Sequence, residues 1–217
     1  MSTEAANQNG TRERLLEAAG EVFAQHGFHA TTVREICRRA GSNVAAVNYH
    51  FGNKQRLYRA VIEYAHRFAL EKHPPDRGLS PQASAEERLK AFVHSLLLRL
   101  FDEGRPAWHG RLMAREMIEP TDALDYLVPQ VIKPLHELVV AIVQEILGRT
   151  ASPERTRRCV TSVVAQCMHL FHARPVLNRL TPQQNHESGE VDRWAEHIAR
   201  FSLAGIRRIG EEDGTAA

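Results

Sequence analysis

Residues 31–54, TTVREICRRAGSNVAAVNYHFGNK, decide the reading of this chain. Thr32 followed three positions later by Glu35 is a capping box, in which each side chain satisfies the other's free backbone amide at a helix start. Gly41 ends that helix, since glycine takes the left-handed C′ conformation without penalty. Ser42 or Asn43 caps a second short helix to about His50. Gly52 and Asn53 then break and recap the chain for a further helix, from Lys54 to about Leu70. Two short helices joined at Ala40-Gly41-Ser42 outline a helix-turn-helix, whose second helix enters the major groove of DNA.

Charge agrees with that outline. The 217-residue chain has a net charge of only +2, yet residues 31–60 hold six basic residues (Arg34, Arg38, Arg39, Lys54, Arg56, Arg59) against Glu35 alone. Residues 1–70 carry 9 basic and 6 acidic residues, and the rest 19 and 20. A small basic module is therefore joined to a near-neutral body, which excludes a uniformly cationic nucleoid-type protein but not nucleic-acid binding.

Within the module, Val33, Ile36, Cys37, Val47 and Phe51 are the inward positions, set to pack against Phe23 and Phe28. Asn43, Ala45, Ala46, Asn48, Tyr49 and His50 point outward. Alanine at 45 and 46 lets the helix approach base edges; asparagine pairs with adenine, and an alanine methyl packs on a thymine methyl. Thr31, Thr32, Tyr49, His50 and Lys54 stand at helix ends, where hydroxyls, charges and free amides suit phosphates. Ser42, in the turn, completes the expected DNA-facing set. The plainer reading, short helices with a solvated charged face, fits the same pattern.

The segment GFHATTVREICRRAGSNVAAVNYHFGNKQRLYRAVI resembles the N-terminal DNA-binding signature of TetR-type transcriptional regulators, over roughly Arg12–Ile62. The resemblance implies phosphate contacts at Thr32, Tyr49, His50 and Lys54 and base-facing roles at Asn43, Ala45, Ala46 and Asn48. The chain departs from the family pattern at Ser42, Ala45 and Asn48, which leaves the operator sequence open. The Asn-Tyr-His-Phe variant and RLMAREMIEPTDALDYLVPQVIKPLHELVVAIVQEILG resemble the CecR branch.

The remainder reads as helix with almost no strand signal, so the fold class is all-α. A helix-turn-helix domain over 11–58 is followed by a helical effector-binding and dimerisation domain over 59–210. The first helix spans about Thr11–His26 and stops at Gly27. A Pro-rich linker, residues 73–81, marks a boundary. Capping at Ser84/Glu87 opens a helix to about Asp102, and a shorter one covers Trp108–Ile118, closed by Pro120. A long helix over Thr121–Leu147 is expected to bend or break at Pro129 and Pro134. Pro153 begins a helix to about Ala173. Residues 181–189 are polar, the last helix covers about Glu190–Ile209, and the tail 210–217 is expected to be disordered.

The family resemblance implies that this domain dimerises and binds a small effector. Val160, Val164, Cys167 and Phe171 on one helix, and Trp194, Ile198, Phe201 and Gly205 on the last, form apolar stripes suited to a four-helix dimer interface. An intrachain core is the alternative. Candidate effector-pocket residues are polar or adaptable groups within apolar helices: Trp108, His109, Arg111, Met113, Arg115, Glu116, Met117, His136, His169, Phe171, His172 and Arg174.

His169 and His172 share a helical face near Cys167, but no third ligand has metal-site spacing, so no metal and no cofactor is expected. Nucleophile elbows, phosphate-cradling loops and metalloprotease motifs are absent from the sequence, which argues against an enzyme. Three widely spaced cysteines, a polar N-terminus and a longest aliphatic run of only Leu138–Val143 point to a cytoplasmic protein. The sequence thus predicts a DNA-binding transcriptional repressor that binds a palindromic operator as a homodimer and is released by a small molecule. A helical ligand-binding or adaptor protein, or a metal-responsive regulator, is the competing reading.

Overall fold

The computed structural model describes residues 3–102, 108–148, 151–181 and 189–214. Among them every regular element is helical. The chain packs as two compact units, one comprising Met1–Lys72 with Asp102–Val131, the other His73–Phe101 with Ile132–Ala217. The first border falls where the Pro-rich segment begins. A division after residue 58 would cut α4 (Lys54–Lys72), which lies whole in the first unit.

In the first unit, α1 (Thr3–Ala30) is longer than its apolar pattern suggests and is interrupted at Gly27 (φ 79°, ψ 171°), the expected stop. Leu15, Leu16, Val22 and Phe23 are buried along one face. The helices α2 (Val33–Ala40) and α3 (Val44–Phe51) form the helix-turn-helix. Thr32 caps α2 by accepting from the Glu35 amide at 3.2 Å. Glu35 itself turns to His26 at 3.5 Å. Gly41 is left-handed (φ 58°) and the Ser42 amide donates to the Cys37 carbonyl at 2.9 Å, closing α2 as a Schellman-type turn.

Two further helices complete this unit, α6 (His109–Ile118) and α7 (Ala123–Leu127). Trp108 is 3 % exposed and its indole lies over the backbone of α1: a Cβ built on Gly20 would meet it at 2.1–2.5 Å. The indole Nε1 donates to Glu17 at 3.3 Å.

The second unit is a helical bundle of α5 (Ala85–Phe101), α8 (Lys133–Leu147), α9 (Pro153–His172), α10 (Arg174–Leu180) and α11 (Glu190–Gly214). The Ser84/Glu87 box at the head of α5 is complete, with the Ser84 amide donating to Glu87 at 2.8 Å and the Glu87 amide donating to the Ser84 hydroxyl at 3.3 Å. Leu89, Val93, Leu97, Ile142, Val143, Val160, Val163, Cys167 and Ile198 form its core. All three cysteines are free and buried, and burial pushes the Cys167 thiol up to about 12.

Three features bear on the expected helix boundaries, and the last corrects one of them. The interruption expected at the prolines is present: the α-helix gives way over Val128–Ile132 to the wider π-helical spacing, which accommodates a position that lacks a donor, and Pro134 falls in the first turn of α8. The helix α10 follows α9 after a single residue, with Pro175 in its first turn where a missing N–H costs nothing. The last helix extends to Gly214, so residues 210–214 are helical rather than disordered. Gly210 makes this possible, because any Cβ there would lie 2.8 Å from the Leu147 carbonyl oxygen. Residues 182–188 of the polar stretch and 215–217 of the tail lie outside the described residues.

Ala123–Leu147 is long and apolar enough to meet the length requirement for a membrane span, with a mean hydropathy of 1.4. Leu127, Val139, Ile142, Val143 and Leu147 from this segment are nonetheless buried against protein.

The contact between Trp108 and Gly20 leaves no room for a methyl group. Gly20→Ala should therefore destabilise the protein by about 1–3 kcal/mol through overpacking, read as a lower urea midpoint with an unchanged slope, and Gly20→Val should cost more. Equal stability of the alanine variant would show that α6 is not seated on α1.

Candidate nucleic-acid interface

The surface that can meet DNA is built on α3. Asn43 caps this helix by accepting from the Ala46 amide at 2.9 Å, and Gly52 (φ 82°) closes it. Val47 and Phe51 are buried beneath α3, with Ile36 and Cys37 from α2, as the inward pattern predicts; Val33 is only half-buried. Phe23, Phe28 and Tyr58 form an aromatic cluster under the head, with ring centroids 4.8–6.2 Å apart.

The outward face presents Val44, Ala45, Asn48 and Tyr49, with Tyr49 73 % exposed. Ala46, His50 and Ser42 are half-buried at its margins, and Thr32 is exposed. Val44 was not among the expected contacts. Its exposure (42 %) follows from its place in the first turn after the Asn43 cap, where an apolar side chain suits a thymine methyl. Arg34 and Arg38 stand exposed on α2, while Arg39 is held by Glu21 at 2.5 Å.

Two expected phosphate ligands are differently employed. Thr31 is 1 % exposed, and its hydroxyl donates to the Gly27 carbonyl at 2.7 Å, so its side chain is turned inward and not offered to DNA. The Lys54 ammonium donates to the Thr31 carbonyl at 2.7 Å and the His29 carbonyl at 3.4 Å, and lies 4.5 Å from the Phe28 ring centroid. Partial burial lowers its pKa from the ordinary lysine value. Asn43 likewise engages its side-chain oxygen in the cap and leaves its amide group as the donor for a base.

The residues expected to form an effector pocket are divided between the two units. Those on α6 belong to the first unit, and those on α8 and α9 to the second. Trp108 is buried on Gly20. Arg115 donates to the Ala24 carbonyl at 3.0 Å and the Gln25 carbonyl at 2.9 Å. Glu116 is fully buried, accepting from the Tyr58 hydroxyl at 2.7 Å and the Thr121 amide at 2.8 Å. These three side chains tie α6 to its neighbours within the unit. His109 packs against His66, centroids 5.9 Å apart. Arg111 and Met117 are exposed and Met113 is half-buried. In the second unit His136, His169 and His172 are exposed, and Phe171 meets Phe101 at 5.7 Å. Among the described residues no three metal-ligating side chains converge.

The expected dimer stripe also divides. Val160, Cys167 and Ile198 lie in the core of the second unit itself, so they cannot serve an interface. Val164 and Phe171 are half-buried, while Trp194 (38 %), Phe201 (66 %) and Gly205 remain exposed. The reason is geometric: spacing by three and four identifies a buried face, not the element that buries it.

Known proteins agree with this architecture. Residues 15–61 match the family described as bacterial regulatory proteins, tetR family, and residues 85–206 match the C-terminal domain of the HTH-type transcriptional dual regulator CecR. The chain is 31 % identical over 158 residues to CecR of Shigella flexneri, covering 66 % of this chain and 68 % of that protein. It is 37 % identical over 121 residues to the HTH-type transcriptional regulator UidR of Escherichia coli K12, covering 55 % and 57 % respectively. A TetR-like transcriptional regulator from Rhodococcus sp. RHA1 has the same fold, with a TM-score of 0.67 at 19 % identity over 90 % of this chain and 95 % of that one. With its exposed α3 face, its Schellman-closed turn and these matches over both halves, the chain belongs to the TetR family of bacterial transcriptional regulators, with a C-terminal domain of the CecR type.

Proposed function

We propose that this cytoplasmic regulator represses transcription by binding a palindromic operator as a homodimer, and that a small molecule releases it. The observation that carries the reading is the α3 face, where short and polar side chains stand outward from a helix whose other side is fully packed. One helix of eight residues reads only a few base pairs, so useful specificity needs two half-sites and hence two copies. In functional terms the head over 11–58 reads DNA and the body over 59–210 dimerises and senses the effector.

The exposed apolar ridge of α11 supports dimerisation. Trp194, His197 and Phe201 form a continuous aromatic row, with centroids 5.8 and 6.2 Å apart, and Gly205 allows close approach one turn on. A cavity of about 220 Å³ in the second unit supports effector binding. Leu97, Phe101, Leu170 and Trp194 give it apolar walls, and Arg174, from the expected set, stands at its edge over the Phe101 ring at 5.7 Å.

Electrophoretic mobility shift on the DNA upstream of the chain's own gene tests the central claim. A specific shift that weakens steeply with salt is expected; no shift at low salt by folded dimer would overturn it. Tyr49→Ala should lower affinity evenly across sequences, whereas Asn48→Ala should change sequence preference. Lys54→Met should also lower thermal stability, by about 1–2 kcal/mol, because it removes a charged donor from two carbonyls. A Lys54→Met protein of unchanged stability would assign that lysine to phosphate alone. Phe201→Glu should yield monomer by sedimentation; a persistent dimer would place the interface elsewhere.

A further inference from the structure

A cleft of about 540 Å³ opens within the first unit, between the end of α1, the first half of α4 and the turn joining α6 to α7. Its size falls in the range that houses small organic ligands, roughly 300–1,000 Å³. Phe28, Tyr58, Pro120 and Ala123 give it apolar walls. Its rim carries two guanidinium groups from α4, Arg56 and Arg59, with Gln55, His29 from the end of α1, and Asp122. Arg59 is oriented from two sides. Its guanidinium carbon lies 3.5 Å from the Tyr126 ring centroid, and its Nε donates to Glu63 at 3.0 Å. Among the described residues no ion pair engages Arg56. A planar guanidinium fork matches a carboxylate or phosphate.

The walls are also a joint. Tyr58 and Thr121, which line the cleft, are the two residues that donate to the fully buried Glu116 carboxylate. An occupant therefore rests on the link between α4 and the α6–α7 turn. The opposite wall, at His29, is tied through its carbonyl to Lys54 at the start of α4, directly after the α3 reading helix.

We propose that this cleft binds a small amphipathic organic anion, with an apolar body and a carboxylate or phosphate group, and that its occupant alters operator affinity through the Tyr58–Glu116–Thr121 joint. The site is separate from the cavity in the second unit, and its regulatory part rests on the operator-binding reading given above.

Calorimetry on the full-length, DNA-free protein at constant ionic strength tests the site, with benzoate, phenyl phosphate, benzylamine and inorganic phosphate as probes. Saturable binding of benzoate or phenyl phosphate is expected, at least about tenfold tighter than inorganic phosphate, with no binding of the amine. Arg56→Ala, an exposed position that should not disturb folding, should weaken the organic anion at least about fivefold, while Arg174→Ala leaves it unchanged. No saturable binding of either organic anion, equal binding of benzylamine, or indifference to Arg56→Ala would overturn the site. Equal binding of inorganic phosphate would also overturn it, marking a charge patch suited to the DNA backbone.

Mobility shift then tests the coupling. Tyr58→Phe should keep the anion affinity within about threefold while losing the anion's effect on operator binding, since only the hydroxyl link to Glu116 is removed. An intact operator response in Tyr58→Phe would overturn the joint as the route. Anion binding in a wild-type protein that shifts no DNA would leave the site standing and sink the operator reading instead.

Discussion

The head depends on how the end of α1 disposes of its carbonyls. A helix leaves its last turn of carbonyl oxygens without intrahelical donors, and buried ones must be satisfied elsewhere. Here the carbonyls of residues 24, 25, 27, 29 and 31 are met by three side chains from different parts of the chain. Thr31, in the turn, takes Gly27; Lys54, from α4, takes His29 and Thr31; Arg115, from α6, takes Ala24 and Gln25. The break at Gly27 thus becomes the point where α1, α4 and α6 are held together, and the helix-turn-helix follows directly from it.

That arrangement explains what the sequence could and could not tell. Caps and stops were legible because they are local: Thr32, Asn43, Ser84 and Ser152 all accept from the amide three residues on. Glycines 27, 41 and 52 all have positive φ at the ends predicted for their helices. The outward face of α3 was legible for the same reason. What a polar side chain at a helix end will bond to is not local. Thr31 and Lys54 carry the donors that a phosphate would need, and the fold turns those donors onto its own backbone. Only the three-dimensional path of α1 past α4 decides between the two uses.

The same limit governs the second half of the chain. The stripes on α9 and α11 were correctly read as apolar faces, but Val160, Cys167 and Ile198 are covered by helices of their own unit, whereas Phe201 is not. Glu116 illustrates the converse. The carboxylate in the middle of RLMAREMIEP stands among the effector-pocket candidates by sequence, yet it is fully buried. Burying such a group is costly unless hydrogen bonds replace its water, and Tyr58 and Thr121 supply them from 58 residues before and 5 residues after. Nothing in the spacing of those residues announces the match.

The two tryptophans of the chain stand one in each compact unit. Trp108 lies buried on the backbone of Gly20, and Trp194 sits partly exposed at the start of α11 beside the cavity of the other unit. The molecule therefore carries two intrinsic optical reporters of opposite character, a buried indole in the unit of the helix-turn-helix and a partly exposed one in the helical bundle. Light alone can distinguish which half of the protein has changed.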